Sequence, residues 1–530
     1  MFAARQMPYN QTNAFSRIVT DYLAADDKLR PFYSEPPTIE GIEATVRKKK
    51  SAKQDRSLLV QQLKAQYAGI ETGEKVLNNI ESLLSENSFT VTTAHQPNLF
   101  TGPLYFIYKI LHAIRLADDL NEKLPAYHFV PVYYMGSEDA DFAELNHTYV
   151  DGKRIEWKKE QSGAVGRMVV DQTLVRLIHE LEGQLYGKPF AAEVIGLLHR
   201  CYTPGRTIQE ATFELVHVLY ASFGLVVLIP DSDQLKRQMA TVFANDLFAN
   251  EPYDIVRRTS DALAADYLAQ AHPREINLFY LRDNIRERIE KKDGGFMVHN
   301  TDYHFSEQEI RKELAEHPER FSPNVILRGL YQETILPNIA FIGGGGELAY
   351  WLQLKDLFDH FGVVYPVLVL RNSFLVVEDK WKQKAQRLDL DLPELFEEEQ
   401  EIMKAIVKKR SENAVSLNGN FEKAIALYDQ IGTQAGAIDP TLVRHVEAIK
   451  TRSLKHLQEL EKKMLRAEKR KFGSQQNQLQ AVKKALFPNG NLQERVENFS
   501  SFYAMWGMKF LQELYRHSPA LEQHFTILEG

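Results

Sequence analysis

Cysteine is nearly missing from this chain of 530 residues, with Cys201 the single one. That scarcity excludes an internal disulfide and any multi-cysteine zinc or iron–sulfur site, and it fits a reducing, cytoplasmic compartment. Long hydrophobic runs are missing too. The longest, near Gly224 to Pro230 and Gly362 to Leu370, are strand-sized, so neither a membrane span nor a secretory leader is expected. The sixteen histidines show no H-E-x-x-H or comparable spacing, and no metal site is expected. Positive charge is not in excess: the net charge of −7 argues against a dedicated nucleic-acid binder. There is no repeat of fixed period and no low-complexity tract.

What is present reads as a globular protein with 44% hydrophobic and 25% charged residues, too long for one ordinary core. Charge is unevenly spread. From Leu442 to Ala485 twelve Lys/Arg face four Asp/Glu, so a basic arm is joined to an acidic body. Lys462, Lys463, Arg466, Lys469, Arg470 and Lys471 on that arm fit phosphates, a partner subunit or, more simply, a solvated helical face.

Two strand-to-helix junctions stand out. The first runs from the strand Phe89 to Ala94 through His95-Gln96-Pro97-Asn98 to Thr101-Gly102-Pro103, which opens a helix to about Asn121. The second runs from Ile339 to Ile342 through Gly343, Gly344, Gly345 and Gly346 to Glu347, which opens a helix to about Phe361. Helix starts expose unpaired N–H groups and glycine permits close backbone approach, so each junction is a candidate anion seat. The glycine run is neither a Walker loop nor a clean G-x-G-x-x-G pattern. Further strands are expected at His128 to Met135, Leu225 to Ile229 and Val363 to Leu370, the first being the near-continuous apolar run of a sheet covered on both faces.

The expected fold is therefore α/β, a doubly wound parallel-sheet core over 1–377 with inserted segments at about 151–205 and 273–320. A helical coiled-coil arm follows over 378–500, where Leu442, Val446, Ile449, Leu457, Leu460 and Met464 keep helical spacing. A C-terminal helix in 501–530 is expected to pack back on the core.

Strand ends carry the candidate chemistry. Glu138, Asp139 and Asp141 crowd like charges after the second strand, close to His147, an arrangement suited to general-base work; a helix cap explains one or two of them as well. Lys109, two turns into the first helix, adds a positive charge beside His95, Gln96 and Asn98. Arg328 before the glycine junction and Arg371 after the next strand can each grip a carboxylate or phosphate at two points. Cys201, beside turn residues, reads as a packed small hydrophobe.

Taken together, these motifs carry more than any one of them. His95-Gln96-Pro97-Asn98-Leu99-Phe100-Thr101-Gly102-Pro103-Leu104-Tyr105 with Tyr108-Lys109 is followed by Ser137-Glu138-Asp139-Ala140-Asp141-Phe142 with Asn146-His147. Phe321-Ser322-Pro323-Asn324-Val325 with Arg328 comes next, then Gly343 to Gly346 with Glu347, Ala349, Tyr350, Trp351, Gln353 and Leu354. In order and spacing, along nearly the whole chain, this resembles the bacillithiol biosynthesis cysteine-adding enzymes, the cysteine ligase family. Two departures are visible. The family's first loop commonly has Gly-Gln-Gln where this chain has His95-Gln96-Pro97, and its third often has Gly-Gly-Pro-Gly in place of four glycines.

The resemblance implies a Rossmann-like core with two inserted connecting segments and a C-terminal coiled coil that makes a homodimer. The implied reaction adds cysteine to glucosaminyl malate, the last step of bacillithiol biosynthesis. It is an amide-forming ligation with ATP as the expected activator of the cysteine carboxyl group. On that view Glu138, Asp139, Asp141 and His147 serve the sugar amine. Substrate or phosphate binding falls to His95, Gln96, Asn98, Gly102, Tyr105, Lys109, Arg328, Gly343 to Gly346, Glu347, Tyr350, Gln353 and Arg371. Nucleotidyl or phosphoryl transfer at the same cleft, or a non-catalytic scaffold using the arm, are the alternatives.

Overall fold

Segments rich in β-branched and aromatic residues form a five-stranded sheet in which every pairing is parallel. The computed structural model describes residues 2–159, 162–411 and 416–530. Across the sheet the strands lie in the order Val367–Leu370, Asn338–Gly343, Ser88–His95, His128–Met135, Val226–Leu228. The chain winds outward from Ser88–His95 to one side and later returns to its other side with Asn338–Gly343. Between those two strands the winding reverses, and loops leaving them diverge to open a crevice beyond their carboxyl ends. Register decides which residues meet there. His95 is level with Met135 and Gly343 with Leu370, so the segments that follow, at 96, 136, 344 and 371, leave the sheet along one edge.

The strands are buried almost throughout, as an internal parallel sheet requires. One cluster joins Phe89, Val91, Ile342 and Val369 of the sheet to Ala113, Leu116 and Leu120 of the helix Tyr105–Lys123 and to Ile42 and Val46 of the helix Ile39–Ser51. Each large apolar side chain so buried stabilises the fold by about 1.5–3 kcal/mol before entropy is counted.

Several expected elements shift for local reasons. The first long helix begins at Tyr105, not Gly102, because Leu99–Thr101 form a tight turn in which Phe100, Thr101 and Gly102 all take positive φ. The single helix expected from Glu347 to Phe361 is two, Gly345–Trp351 and Lys355–Phe361. The strand expected from Val363 starts only at Val367, after Pro366, which has no N–H to give a ladder.

The expected insertions have structure of their own. Near 151 the strands His147–Val150 and Lys153–Glu156 form a hairpin closed by Asp151-Gly152, both at positive φ as a tight hairpin turn demands. Helices Gln172–Leu185 and Ala191–Cys201 follow. Near 273–320 there is an antiparallel five-stranded sheet in the order His304–Phe305, Gly295–Val298, Ile285–Lys292, Leu278–Arg282, Phe321–Pro323. Leu278–Arg282 and Phe321–Pro323, its first and last strands along the chain, pair with each other, so the segment enters and leaves through one neck.

By compactness the chain forms two units: Met1–Asn10 with Ala14–Leu375 and Asn491–Leu528, and Gln11–Asn13 with Val376–Gly490 and Glu529–Gly530. The division falls after Gly490, where 500 was expected. The C-terminal segment holds two helices, Phe499–Trp506 and Met508–Arg516, and a strand, His524–Glu529, in place of one helix. These helices pack on Ala191–Cys201 and Tyr105–Lys123 of their own unit.

In the second unit, helices Asn418–Ile438 and Leu442–Lys469 pack as a hairpin turned at Asp439-Pro440-Thr441. Gly436 lets the two approach, since a Cβ there would lie 2.9 Å from Val443. Among the described residues no helix is long and apolar enough to cross a membrane.

Candidate active site

A cleft of about 970 Å³ lies where the sheet's winding reverses. Its lining takes His95 and Gln96 from the first loop, Glu138 and Asp139 from the second, and Gly344, Gly345, Gly346 and Glu347 from the third. Tyr105, Lys109, Arg328, Tyr350 and Arg371 complete the set of expected residues that reach it.

Asp139 is the carboxylate held for contact. Gln96 Nε2 donates to its Oδ2 at 3.0 Å and the Asp141 backbone N–H to its Oδ1 at 3.2 Å, which fixes the group while leaving it half-buried in the wall. Glu138 beside it is spent otherwise. It pairs with buried Lys236, and its Oε2 accepts from Ser322 Oγ at 3.1 Å. Burial raises its carboxyl despite Lys236. Lys236 also lies 3.5 Å from Asp231, which takes a two-point grip from Arg167 at 2.7 and 2.8 Å. Burial alone would raise Asp231, but Lys236 and Arg167 outweigh it and its carboxyl is lowered.

The glycine junction is not an open anion seat. Glu347 accepts the Gly344 N–H at 2.8 Å and pairs with Lys109, so the chain's own carboxylate fills the place. Packing accounts for part of the run: a Cβ on Gly343 would fall 2.9 Å from the Phe341 ring and one on Gly345 3.1 Å from Val19. Lys109 also donates to Ala94 O at 2.8 Å, and burial lowers its pKa while Glu347 opposes that.

The other cations of the cleft differ in whether a carboxylate meets them. Arg371 is committed to Glu494 at 2.7 Å and lies over the Tyr105 ring. Arg328 donates to the Tyr350 hydroxyl, and Arg286 to Ser322 Oγ at 3.0 Å and Pro323 O at 3.3 Å. Both are half-buried, and among the described residues neither has a carboxylate at ion-pair distance. Arg274 and Arg495 add positive charge at the rim. His95 stays neutral: burial lowers its pKa well below the usual value, and Lys109, Arg328 and Arg371 reinforce this. Its Nε2 is buried with no hydrogen-bond partner among the described residues.

Six expected residues lie outside the lining. Asp141 caps the helix Phe142–Leu145, accepting the Glu144 N–H at 3.1 Å. His147 starts the hairpin strand, with Nδ1 3.2 Å from Ala143 O. Asn98 and Gly102 shape the turn behind the cleft, where a Cβ on Gly102 would meet Asn98 at 2.8 Å and Asn498 Nδ2 donates to Gly102 O at 2.6 Å. Gly343 ends its strand, its carbonyl accepting the Arg371 N–H at 2.8 Å. Gln353 is wholly buried and holds the backbone of Gln270 and Ala271. Cys201 is buried as a packed thiol, its pKa pushed up to about 12 by burial and then by Glu214.

Sequence reasoning missed Arg286, Arg274, His272, Phe279 and Arg495 in the lining and Lys236 behind it. The one signal was Ser322-Pro323-Asn324, whose neighbours in space are Arg286 and Glu138.

Two family models cover the chain: "Bacillithiol biosynthesis BshC, N-terminal Rossmann-like domain" over residues 2–372 and "Bacillithiol biosynthesis BshC, C-terminal coiled-coil domain" over residues 374–530. Among curated relatives, a "Putative cysteine ligase BshC" of Flavobacterium johnsoniae is 39% identical over 98% of both chains. Proteins of the same name from Christiangramia forsetii and Cytophaga hutchinsonii are 37% identical over 98% of both chains and 38% identical over 94% of both.

Proposed function

The chain belongs to the bacillithiol biosynthesis BshC family, and on that premise we propose that its cleft joins cysteine to glucosaminyl malate through an amide bond. The observation that carries this reading is a fixed carboxylate, Asp139, in a cleft that also holds Arg286 and Arg328, neither with a carboxylate at ion-pair distance among the described residues. A half-buried cation without a counter-ion is costly unless a ligand supplies one, and the two malyl carboxylates fit that need. The relatives' names favour ligation over transfer or a scaffold role.

A free carboxylate does not react with an amine in water, so the cysteine carboxyl is first converted to an acyl phosphate or acyl adenylate, with ATP as co-substrate. The sugar ammonium gives one proton to Asp139, and the freed amine attacks the acyl carbon. The second N–H proton passes to the departing phosphate or AMP as the carbon–nitrogen bond forms. In this reading Lys109, Arg328 and Arg371, which line the cleft, stabilise negative charge on the acyl oxygen or the departing group. Neutral His95 offers a hydrogen bond at Nε2 without adding charge. Homodimerisation belongs to the same reading, supported by Leu427, Val443 and Leu460 exposed on the helical hairpin.

The test is incubation of the purified chain with glucosaminyl malate, cysteine and ATP, each omitted in turn, following the thiol product by mass. Product in the complete mixture alone is expected. Product without ATP removes the proposed activation, and no product in any mixture removes the ligase reading.

A further inference from the structure

The segment from Gln270 to Asn277 runs along the cleft and brings Arg274 into its lining. Both ends are pinned from beneath. Gln353 accepts the N–H groups of Gln270 and Ala271, each at 2.9 Å, and donates to Ala271 O at 2.8 Å. At the other end Asn277 gives its backbone N–H and its Nδ2 to the two oxygens of Asp246, at 2.6 and 2.9 Å. Asn277 Oδ1 in turn accepts the Arg274 N–H at 3.0 Å and Asn324 Nδ2 at 3.1 Å, and its carbonyl accepts the Asn324 N–H at 2.9 Å.

Asn277 and Asn324 flank the paired strands Leu278–Arg282 and Phe321–Pro323, so this joint is the neck of the inserted sheet that carries Arg286. Asn324 also caps the helix Val325–Ile335, its Oδ1 accepting the Ile326 N–H at 2.8 Å, and that helix carries Arg328. Asp246 and Asn277 are wholly solvent-shielded. No cation lies at ion-pair distance from Asp246 among the described residues; Lys291 attracts it only from farther away, and burial raises its carboxyl to about 7. A carboxyl group buried without a cation is costly, and what it does here is satisfy two buried donors of Asn277 that an apolar side chain would leave unpaired.

We propose that Asp246 is a positioning residue for this cleft: through Asn277 it sets the strap with Arg274, the neck below Arg286 and the start of the helix with Arg328, and so the seat of an anionic substrate. This rests on the reading of the cleft as the glucosaminyl malate site.

Asp246→Asn in the full chain is to be read by hydrogen exchange and by calorimetric titration with glucosaminyl malate. Exchange over 270–277 and 322–326 is expected to rise at least tenfold and the Kd to rise about tenfold, as a buried donor left without its acceptor implies. The comparison is Asn79→Ala, which removes a buried hydrogen bond to Gly224 O elsewhere in the same unit and is expected to change neither. Unchanged exchange overturns the proposal, and so does faster exchange with an unchanged Kd, which marks a joint that serves the fold alone. If the wild-type chain binds no glucosaminyl malate, it is the substrate reading that falls, and exchange alone then decides the joint. Should Asp246→Asn not fold, Asn277→Ala takes its place with the same two readouts.

Discussion

Cations crowd two regions of this molecule and are treated in opposite ways. On the helical hairpin Lys450 sits 2.6 Å from Asp429 and 3.7 Å from Glu447, and just past its end Lys471 lies 2.8 Å from Glu468, so each of these cations has a carboxylate beside it. In the cleft Arg286 and Arg328 are half-buried and hydrogen-bond to hydroxyl and carbonyl oxygens, and among the described residues neither has a carboxylate at ion-pair distance. By sequence the hairpin holds the denser set of cations, because they form one run. The cleft's cations arrive singly from segments far apart in the chain, and no window of sequence shows them together. A run of like charge tells where cations are; whether they are neutralised depends on the fold.

The comparison breaks most sharply at Asp139. If the cleft is where chemistry happens, Asp139→Asn removes the proton acceptor while keeping the Gln96 contact and the shape, and kcat is expected to fall by roughly 10²–10⁴ with the melting temperature preserved. Turnover of glucosaminyl malate within about threefold of wild type, well short of what a lost general base costs, removes Asp139 from that role.

Arg328→Ala tests the unpaired cations. Loss of a charge-assisted contact to the malyl carboxylates is expected to weaken glucosaminyl malate binding roughly tenfold to a hundredfold, and the deficit should shrink as salt rises. An unchanged Kd would mean that the cleft's positive charge serves the fold, and the contrast with the hairpin would lose its meaning.

The same contrast explains what was legible beforehand. Strands covered on both faces must be apolar along their whole length, so His128–Met135 could be read residue for residue and the parallel core with it. Convergence of the loops near 95, 139 and 345 followed from strand-end position in such a sheet. The choice between Glu138 and Asp139 was out of reach, because Lys236, distant in sequence, neutralises one and not the other. The break between Gly345–Trp351 and Lys355–Phe361 was hidden for a like reason. Gln353 is an ordinary helix residue until its side chain is drawn to the backbone of Gln270, 83 residues away. Asp141 was ambiguous in the sequence itself, a cap or a base, and in the structure it caps.

The smallest effect is expected on the hairpin. Lys450 holds Asp429 across the two helices, but Asp429 is more than half exposed and the pair works against water, salt and the entropy of two long side chains. Lys450→Ala is therefore expected to move the melting temperature by less than about 2 °C and to leave ligation unchanged, as exposed pairs contribute little. A thermal melt and the ligation assay check it together. A large loss of ligation with an unchanged melt would show that the hairpin's cations meet a substrate after all, and that paired, exposed charge is no guide to where this protein binds anions.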